Sequence, residues 1–142
     1  MSRIFWDTNL FIYLFEEYGP LSRKTKALLE RMDERNDELF TSTLTIGEVL
    51  TRPMQKGDIV RCEHYENAIR SNANVIAFDG VAARSFAKLR ALQSRKLPPP
   101  DAIQLACAAT AKVDLFLTND TRLHNLHVDG IHFITSVDRA PI

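Results

Sequence analysis

Short runs of strand-forming residues alternate with longer helical stretches along the whole chain, and this alternation constrains the fold more than any other feature. The strand candidates are RIFW (3–6), ELFTS (38–42), NVIAF (74–78), LFLT (115–118) and IHFIT (131–135). The helix candidates are 10–18, 22–36, 45–56, 58–72, 81–92 and 101–111. Strands separated by helices need crossover connections, which favour a mostly parallel sheet with helices on both faces. The predicted fold class is therefore α/β, a three-layer α/β/α sandwich around a central, mostly parallel sheet.

The length and composition are those of an ordinary globular protein. The 142 residues, 45% hydrophobic and 25% charged, predict a single domain over residues 1–142. No apolar run approaches the roughly 20 residues of a membrane span. Asp7 interrupts any signal-peptide core near the start, so we expect a cytoplasmic protein with no membrane association. The formal net charge of zero argues against a protein that grips duplex DNA through bulk positive charge.

Four acidic residues lie near the carboxyl ends of predicted strands, the edge at which parallel sheets bind ligands. Asp7 follows the first strand, and Glu48 lies one turn into the helix after the second. Asp101 opens the alanine-rich helix, and Asp120 follows LFLT. Each acid also has an ordinary interpretation as a helix cap, as part of a Thr45-x-x-Glu48 capping box or as a turn residue. Taken together, the four acids are expected to meet at one edge of the sheet.

A group of converging carboxylates has a definite chemical consequence. Their mutual repulsion raises one or more pKa values unless a cation is present. A set of oxygen ligands without His or Cys suits Mg²⁺ or Mn²⁺ rather than Zn²⁺, and such ions commonly support phosphodiester cleavage. Asp79, in IAFDG, also follows a strand. Because Gly80 and a helix come next, Asp79 is a candidate N-cap, and its position alone leaves membership of the site open.

At these residues the sequence resembles PIN-domain proteins, and among them the compact VapC-type toxin ribonucleases. The matching pieces are FWDTNLFIYL, TIGEVL, PPPDAIQLACA and LFLTND, which occur in the family's order and span essentially the whole chain. Each piece alone is a weak signal, but four in order form a fairly specific one. The resemblance implies a PIN-like three-layer fold with a parallel sheet and an endoribonuclease activity that depends on Mg²⁺, with Mn²⁺ as an alternative.

The resemblance also implies which acids carry the chemistry. The family's acidic quartet corresponds to Asp7, Glu48, Asp101 and Asp120 as catalytic residues. Asp7, Asp101 and Asp120 are expected to hold the metal. Glu48 either completes the set of ligands or orients the attacking water as a general base.

Residues beside the acids have expected supporting roles. Asn9 matches the polar residue two positions after the first aspartate, and Thr118 matches the threonine before the last acid. Both are expected to orient the ligands rather than bind the metal. After the last motif the family often has a further acid and a phenylalanine, where this chain has Arg122 and Leu123.

Four basic residues next to the acidic motifs are candidates for weak contacts to RNA phosphates: Arg52, Arg95, Lys96 and Arg122. Single-stranded or looped RNA is preferred to a duplex because its backbone bends into a narrow cleft. The resemblance further implies a homodimer and a small antitoxin partner. Apolar residues of the first two helices provide a candidate surface for either partner, with core packing as the alternative: Phe11, Leu14, Phe15, Leu28, Leu29 and Met32.

Other functions are compatible with parts of the pattern. A haloacid-dehalogenase-like phosphatase needs a second aspartate where this chain has Asn9. A housekeeping RNA-processing nuclease with the same chemistry and no antitoxin is one alternative. A catalytically silent PIN-like module that binds RNA or protein is another, although the presence of all four acids argues against it.

Overall fold

A computed structural model of the chain describes residues 1–93 and 97–142, so that the candidate RNA contacts Arg95 and Lys96 lie outside the described residues. The strands are β1 (Arg3–Trp6), β2 (Glu38–Ser42), β3 (Asn74–Ile76), β4 (Val113–Leu117) and β5 (Ile131–Thr135). The helices are α1 (Thr8–Phe15), α2 (Pro20–Arg35), α3 (Thr43–Gln55), α4 (Ile59–Asn72), α5 (Gly80–Gln93) and α6 (Pro99–Ala111). Short 3₁₀ turns cover Thr121–Leu123 and Val137–Arg139.

The strands form one sheet in the order β3-β2-β1-β4-β5, and every described pairing is parallel. The chain leaves the central strand β1 towards β2 and β3 and then returns to the other side of β1 as β4. This change of direction is a topological switch point, where the carboxyl ends of neighbouring strands open a crevice. The predicted α/β fold with a parallel sheet is therefore confirmed.

Each face of the sheet has its own apolar core because side chains alternate along a strand. Ile4 and Trp6 point towards α1–α4, whereas Phe5 points towards α5 and α6. These three side chains are fully buried, as expected for a central parallel strand. Phe5 stacks on Phe116 with ring centroids 5.0 Å apart. The result is the predicted three-layer arrangement.

Several element boundaries differ from the predicted ones for local reasons. α2 begins at Pro20, ahead of the predicted start at residue 22, because proline is favoured at the first helical position and Gly19 supplies the positive φ of 61° before it. α3 begins at Thr43 rather than Thr45, because β2 passes into the helix without a loop. α6 begins at Pro99, so that Asp101 lies inside its first turn.

The apolar residues of the first two helices divide between core and surface. Phe11, Leu28 and Met32 are buried in the core on the α1–α4 face. Leu14, Phe15 and Leu29 are partly buried and pack against that core. Core packing, the alternative interpretation of this set, therefore accounts for half of it. No helix in residues 1–93 and 97–142 is both long and apolar enough to cross a membrane.

Two glycines give a test of this packing. Gly130, just before β5, has a φ of +94°, and an added Cβ would lie 2.6 Å from the carbonyl oxygen of Ala109. Gly47, in α3, has open space around its Cβ position. We expect Gly130→Ala to lower the free energy of unfolding by more than about 1 kcal/mol. Gly47→Ala is expected to raise it by about 0.5–1 kcal/mol.

Urea denaturation followed by the fluorescence of the single tryptophan, Trp6, measures both changes. A Gly130→Ala variant as stable as the wild type would show that the loop before β5 does not pack on α6 as described.

Candidate active site

The end of β1 lies beside the end of β4, and this pairing builds the centre of the candidate site. Trp6 is in register with Leu117, and the Asp7 N–H donates to the Leu117 carbonyl oxygen at 3.0 Å. The Asp7 carboxylate, only 9% exposed, accepts from the Thr118 hydroxyl at 2.7 Å on one oxygen. Its other oxygen accepts from the Thr8 N–H at 2.8 Å, which caps α1. Asp7 is thus both a helix cap and a buried carboxylate at the switch point.

Asp120 is connected to Asp7 through a single hydroxyl group. The Asp120 N–H donates to Thr118 Oγ1 at 3.0 Å, and that hydroxyl in turn donates to Asp7. Thr118 is fully buried, so water does not compete for its contacts. The structure therefore places Thr118 between the first and last acids of the sequence pattern.

Asp101 faces the same crevice from α6 on the other side of the sheet edge. Its helix has Pro98 at the N-cap with no side-chain hydrogen bond, so Asp101 is not the cap. The N-terminus of a helix favours a negative charge in its first turn. One Arg122 nitrogen, Nη2, lies 3.7 Å from Asp101 Oδ2 and 2.6 Å from Asp120 Oδ2, so that a single guanidinium contacts both acids.

Glu48 reaches the cluster from α3. The Thr8 hydroxyl donates to Glu48 Oε1 at 2.6 Å, while the Thr8 N–H binds Asp7. Because α3 starts at Thr43, Thr45 is not its N-cap, and the capping-box interpretation of Glu48 is wrong. Thr8 instead links Glu48 to Asp7. Asp101 joins the group through its 3.7 Å contact with Arg122 rather than through a hydrogen bond.

A buried amide holds the elements of the site together. Gln104 lies one turn after Asp101 on α6 and is 2% exposed. Its amide nitrogen donates to Thr45 Oγ1 at 2.8 Å and to Thr8 Oγ1 at 3.1 Å, and its oxygen accepts from the Ser42 hydroxyl. Thr41 donates to Thr45 at 2.8 Å and completes the network. Four elements, β2, α1, α3 and α6, are therefore tied together beneath the carboxylates.

This network was not anticipated from the sequence. The signals that point to it are the hydroxyl-bearing run at the end of β2 and one glutamine on an otherwise apolar stretch of α6. Asn9, expected to orient a ligand, is exposed and makes no hydrogen bond to the acids within the described residues. Its neighbour Thr8 makes those contacts instead, since successive helical residues point in different directions.

The other sequence candidates lie at the edge of the site or outside it. Asp79 accepts the Ala82 N–H at 3.0 Å and caps α5, as its N-cap interpretation predicted. Arg52 is exposed one turn beyond Glu48 on α3 and lines a cleft together with Glu48, Tyr18 and Pro53. Arg122 lies within the acidic cluster itself.

Comparison with known proteins gives a family. The model of the PIN domain family matches residues 4–128, most of the chain. The chain belongs to the PIN domain family, and the predicted family is therefore confirmed. A search of curated proteins by sequence gave no significant match.

Solved structures support the same fold. A toxin-antitoxin complex from Klebsiella pneumoniae is 26% identical, with a TM-score of 0.65, covering 90% of this chain and 94% of that chain. VapBC2 of Rickettsia felis, bound to a promoter DNA fragment, is 13% identical with a TM-score of 0.75, covering 94% and 98%. DNA-bound VapBC from Salmonella typhimurium is 20% identical with a TM-score of 0.71, covering 96% and 99%.

Three acids of this PIN domain, Asp7, Asp101 and Asp120, have shifted pKa values with distinct causes. Burial raises the pKa of Asp7, and the charge of Asp120 adds to the rise. Burial also raises the pKa of Asp101, with the charges of Asp120 and Asp7 acting in the same direction. Hydrogen bonds from Arg122 hold the pKa of Asp120 below its ordinary value. The cluster carries more negative than positive charge, and Arg122 neutralises only part of the excess.

The donor set suits a hard divalent cation because it consists of carboxylate oxygens in a partly buried crevice. As the side chains stand, no three His, Cys, Asp or Glu residues within residues 1–93 and 97–142 form a ready-made cage for an ion. In this arrangement, Thr118 and Thr8 bind the oxygens of Asp7, and Arg122 binds those of Asp120. The chemistry of the PIN-domain residues fits Mg²⁺ or Mn²⁺.

The raised pKa of Asp7 predicts a pH-dependent effect on stability. A carboxyl whose pKa is raised by folding favours the folded state below its unfolded pKa, and this contribution is lost as the pH rises through the folded pKa. Asn keeps an oxygen for the Thr8 N–H and remains a good cap. Without divalent ions, we expect Asp7→Asn to unfold at a higher temperature than the wild type at about pH 7.5, with the difference shrinking towards about pH 4.

Scanning calorimetry at both pH values measures this effect. Asp33→Asn, on the exposed surface of α2, is the matched control and should change the midpoint little at either pH. A lower midpoint for Asp7→Asn at neutral pH would contradict the assignment of a destabilising buried charge.

Proposed function

We propose that this PIN domain is an endoribonuclease that hydrolyses RNA phosphodiester bonds with Mg²⁺, or alternatively Mn²⁺, and that it acts as the toxin of a toxin–antitoxin pair. The observation that carries the proposal is the meeting of Asp7, Glu48, Asp101 and Asp120 at the switch point of the sheet. Four carboxylates in one crevice are unfavourable for stability alone, which supports a role in chemistry.

The metal-binding part of the proposal rests on three acids. Asp7, Asp101 and Asp120 come from three different elements around one crevice, and we propose that their carboxylate oxygens would hold the ion. Bound there, a divalent ion supplies charge neutralisation and polarisation of the phosphate. Thr118 supports this arrangement by holding Asp7 and the backbone of Asp120 at the same time.

Glu48 is the proposed general base. It lies at the rim of the crevice, exposed to water, and the Thr8 hydroxyl fixes one of its oxygens at 2.6 Å. Its second oxygen is then available to accept a proton from a water molecule that attacks phosphorus. Attack by this water forms the new P–O bond and breaks the P–O3′ bond, and the departing O3′ takes a proton from the surrounding water. The products are a 5′-phosphate and a 3′-hydroxyl. The RNA 2′-hydroxyl is not needed as a nucleophile.

Substrate binding is assigned to the rim of the crevice. Arg52 lies in the cleft next to Glu48, and Arg122 contacts Asp101 and Asp120, so we propose that both arginines contact phosphates of the bound RNA. Zero net charge favours such local contacts over a broad basic surface. We therefore propose single-stranded or looped RNA as the substrate.

The proposed toxin role is supported by the solved structures that this chain resembles, which include toxin–antitoxin and VapBC complexes. By this analogy we propose a small antitoxin as a partner and a homodimer as the assembly, acting in the cytoplasm. The partly buried Leu14, Phe15 and Leu29 contribute to the candidate contact surface, whereas the buried members of the predicted set do not.

The nuclease activity gives a direct test. We expect Glu48→Gln to lower the rate of Mg²⁺-dependent cleavage of a fluorescent single-stranded RNA by about a hundredfold or more, because the general base is lost. Asp101→Asn should show a comparable loss through metal binding. Asp79→Asn is the matched control, since Asp79 also follows a strand but caps α5.

Asp79→Asn should cleave at the wild-type rate, because Asn is as good a cap as Asp. Wild-type protein that binds this RNA and never cleaves it with any divalent ion would favour the silent binding module. Full activity in Asp101→Asn would contradict the assignment of the acidic cluster as the active site.

The toxin role has a cellular test. We expect growth arrest when the chain is expressed in a bacterium, and recovery when the small gene next to its own is expressed with it. Glu48→Gln should abolish the arrest because it removes the general base and leaves the candidate contact surface for the antitoxin unchanged. Normal growth with active nuclease in the cells would favour a housekeeping RNA-processing enzyme.

A further inference from the structure

The guanidinium of Arg122 covers two of the proposed metal ligands. Its Nε donates to Asp120 Oδ1 at 3.0 Å and its Nη2 to Asp120 Oδ2 at 2.6 Å, so both oxygens of this carboxylate are engaged. The same Nη2 lies 3.7 Å from Asp101 Oδ2. One side chain therefore interacts with acids on two different elements.

The backbone near Arg122 is anchored in the core, whereas its side chain is largely exposed. Asp120 caps the Thr121–Leu123 turn by accepting the Arg122 N–H at 3.0 Å, and Leu123 anchors the turn in the core at 2% exposure. The Arg122 side chain is 66% exposed, against about 20% for both acids that it contacts. The guanidinium can thus leave the carboxylates for water without disturbing the turn.

We infer that Arg122 is an intramolecular counter-ion that competes with the divalent ion for Asp101 and Asp120 and thereby sets the metal concentration that the site requires. This inference rests on the metal site of the proposed function and adds a control on its occupancy. Asp120 Oδ1 accepts from the Arg122 N–H and Nε, and Oδ2 accepts from Nη2, so Arg122 uses most of the oxygen lone pairs that a Mg²⁺ or Mn²⁺ ion would need at about 2 Å. Its positive charge also opposes a second cation, so the guanidinium and the divalent ion compete for Asp120.

The exposure of Arg122 decides the size of the effect. An exposed ion pair is weak and is screened by salt, so Arg122 can shift the metal affinity but cannot close the site. The sign of the shift is informative. Loss of a residue with a merely structural role would weaken metal binding, whereas loss of a competitor strengthens it.

Isothermal titration calorimetry with MnCl₂ on the full chain tests the inference without any activity measurement. The variants are Arg122→Met, which keeps much of the side chain's length without the charge, and Arg122→Lys, which keeps the charge without the planar fork. Arg70→Met is the matched control, because Arg70 forms an exposed ion pair with Glu66 on α4 at 2.9 Å. Asp120→Asn reports whether the titrated ion uses this site.

At low salt, we expect Arg122→Met to bind Mn²⁺ about fivefold more tightly than the wild type, and Arg122→Lys to lie between them. The difference should fall below about twofold at roughly 0.5 M salt, because the ion pair is screened. Arg70→Met should match the wild type, and Asp120→Asn should bind more weakly. Thermal unfolding of each variant verifies that it is folded.

Equal Mn²⁺ affinities for the wild type, Arg122→Met and Arg122→Lys would overturn the inference and leave the metal site intact. Weaker binding by folded Arg122→Met would also overturn it, since Arg122 would then support the ion. Absence of Mn²⁺ binding in both the wild type and Arg122→Met would refute the metal site of the proposed function and this inference together.

Discussion

The parallel pairing of β1 with β4 is the constraint on which the rest of the structure depends. Because Trp6 is in register with Leu117, the next residues, Asp7 and Thr118, leave the sheet side by side. In the sheet order β3-β2-β1-β4-β5, the chain runs from β1 to β2 and β3 on one side and continues as β4 and β5 on the other side. This reversal leaves a crevice open at the carboxyl ends of β1 and β4. The acids therefore meet as a consequence of topology, although their charges oppose the meeting.

Holding like charges together requires support from the rest of the fold, and the buried polar network provides it. Gln104 joins α6 to α1 and α3 through hydroxyl groups, and its contacts lie where water does not compete. Buried polar groups that are all paired favour one arrangement of their elements over others. The raised pKa values of Asp7 and Asp101 show that the carboxylates themselves remain unfavourable. The acidic cluster thus lowers the stability of the fold, and the burial of the two apolar cores offsets this loss.

The sequence predicted the order of elements and the edge of the sheet that carries acids, because both follow from local periodicity. It did not predict Gln104 or Thr8, because the contacts of their side chains join residues 37 to 97 positions apart, and no local pattern encodes such pairs. Asn9 and Thr8 illustrate the limit: adjacent polar residues are equivalent in a motif, but only one points towards Glu48. Both Asp79 and Asp7 follow a strand, so their positions in the sequence do not tell which of them lies at the site. The strand order distinguishes them, because β3 is at the edge of the sheet and β1 at its centre.

The competition that we infer for Arg122 would tune the metal affinity of the site while its ligands stay the same. The fold determines where the Thr121–Leu123 turn begins, through the Asp120 cap and the buried Leu123, but it leaves the residue between them exposed. We expect substitution at that exposed position to cost little in stability. It nevertheless lies against Asp101 and Asp120, so its charge acts directly on the electrostatics of the cluster. A side chain at such an exposed position beside two carboxylates can change the affinity of the site for cations, while the fold and the acids remain unchanged.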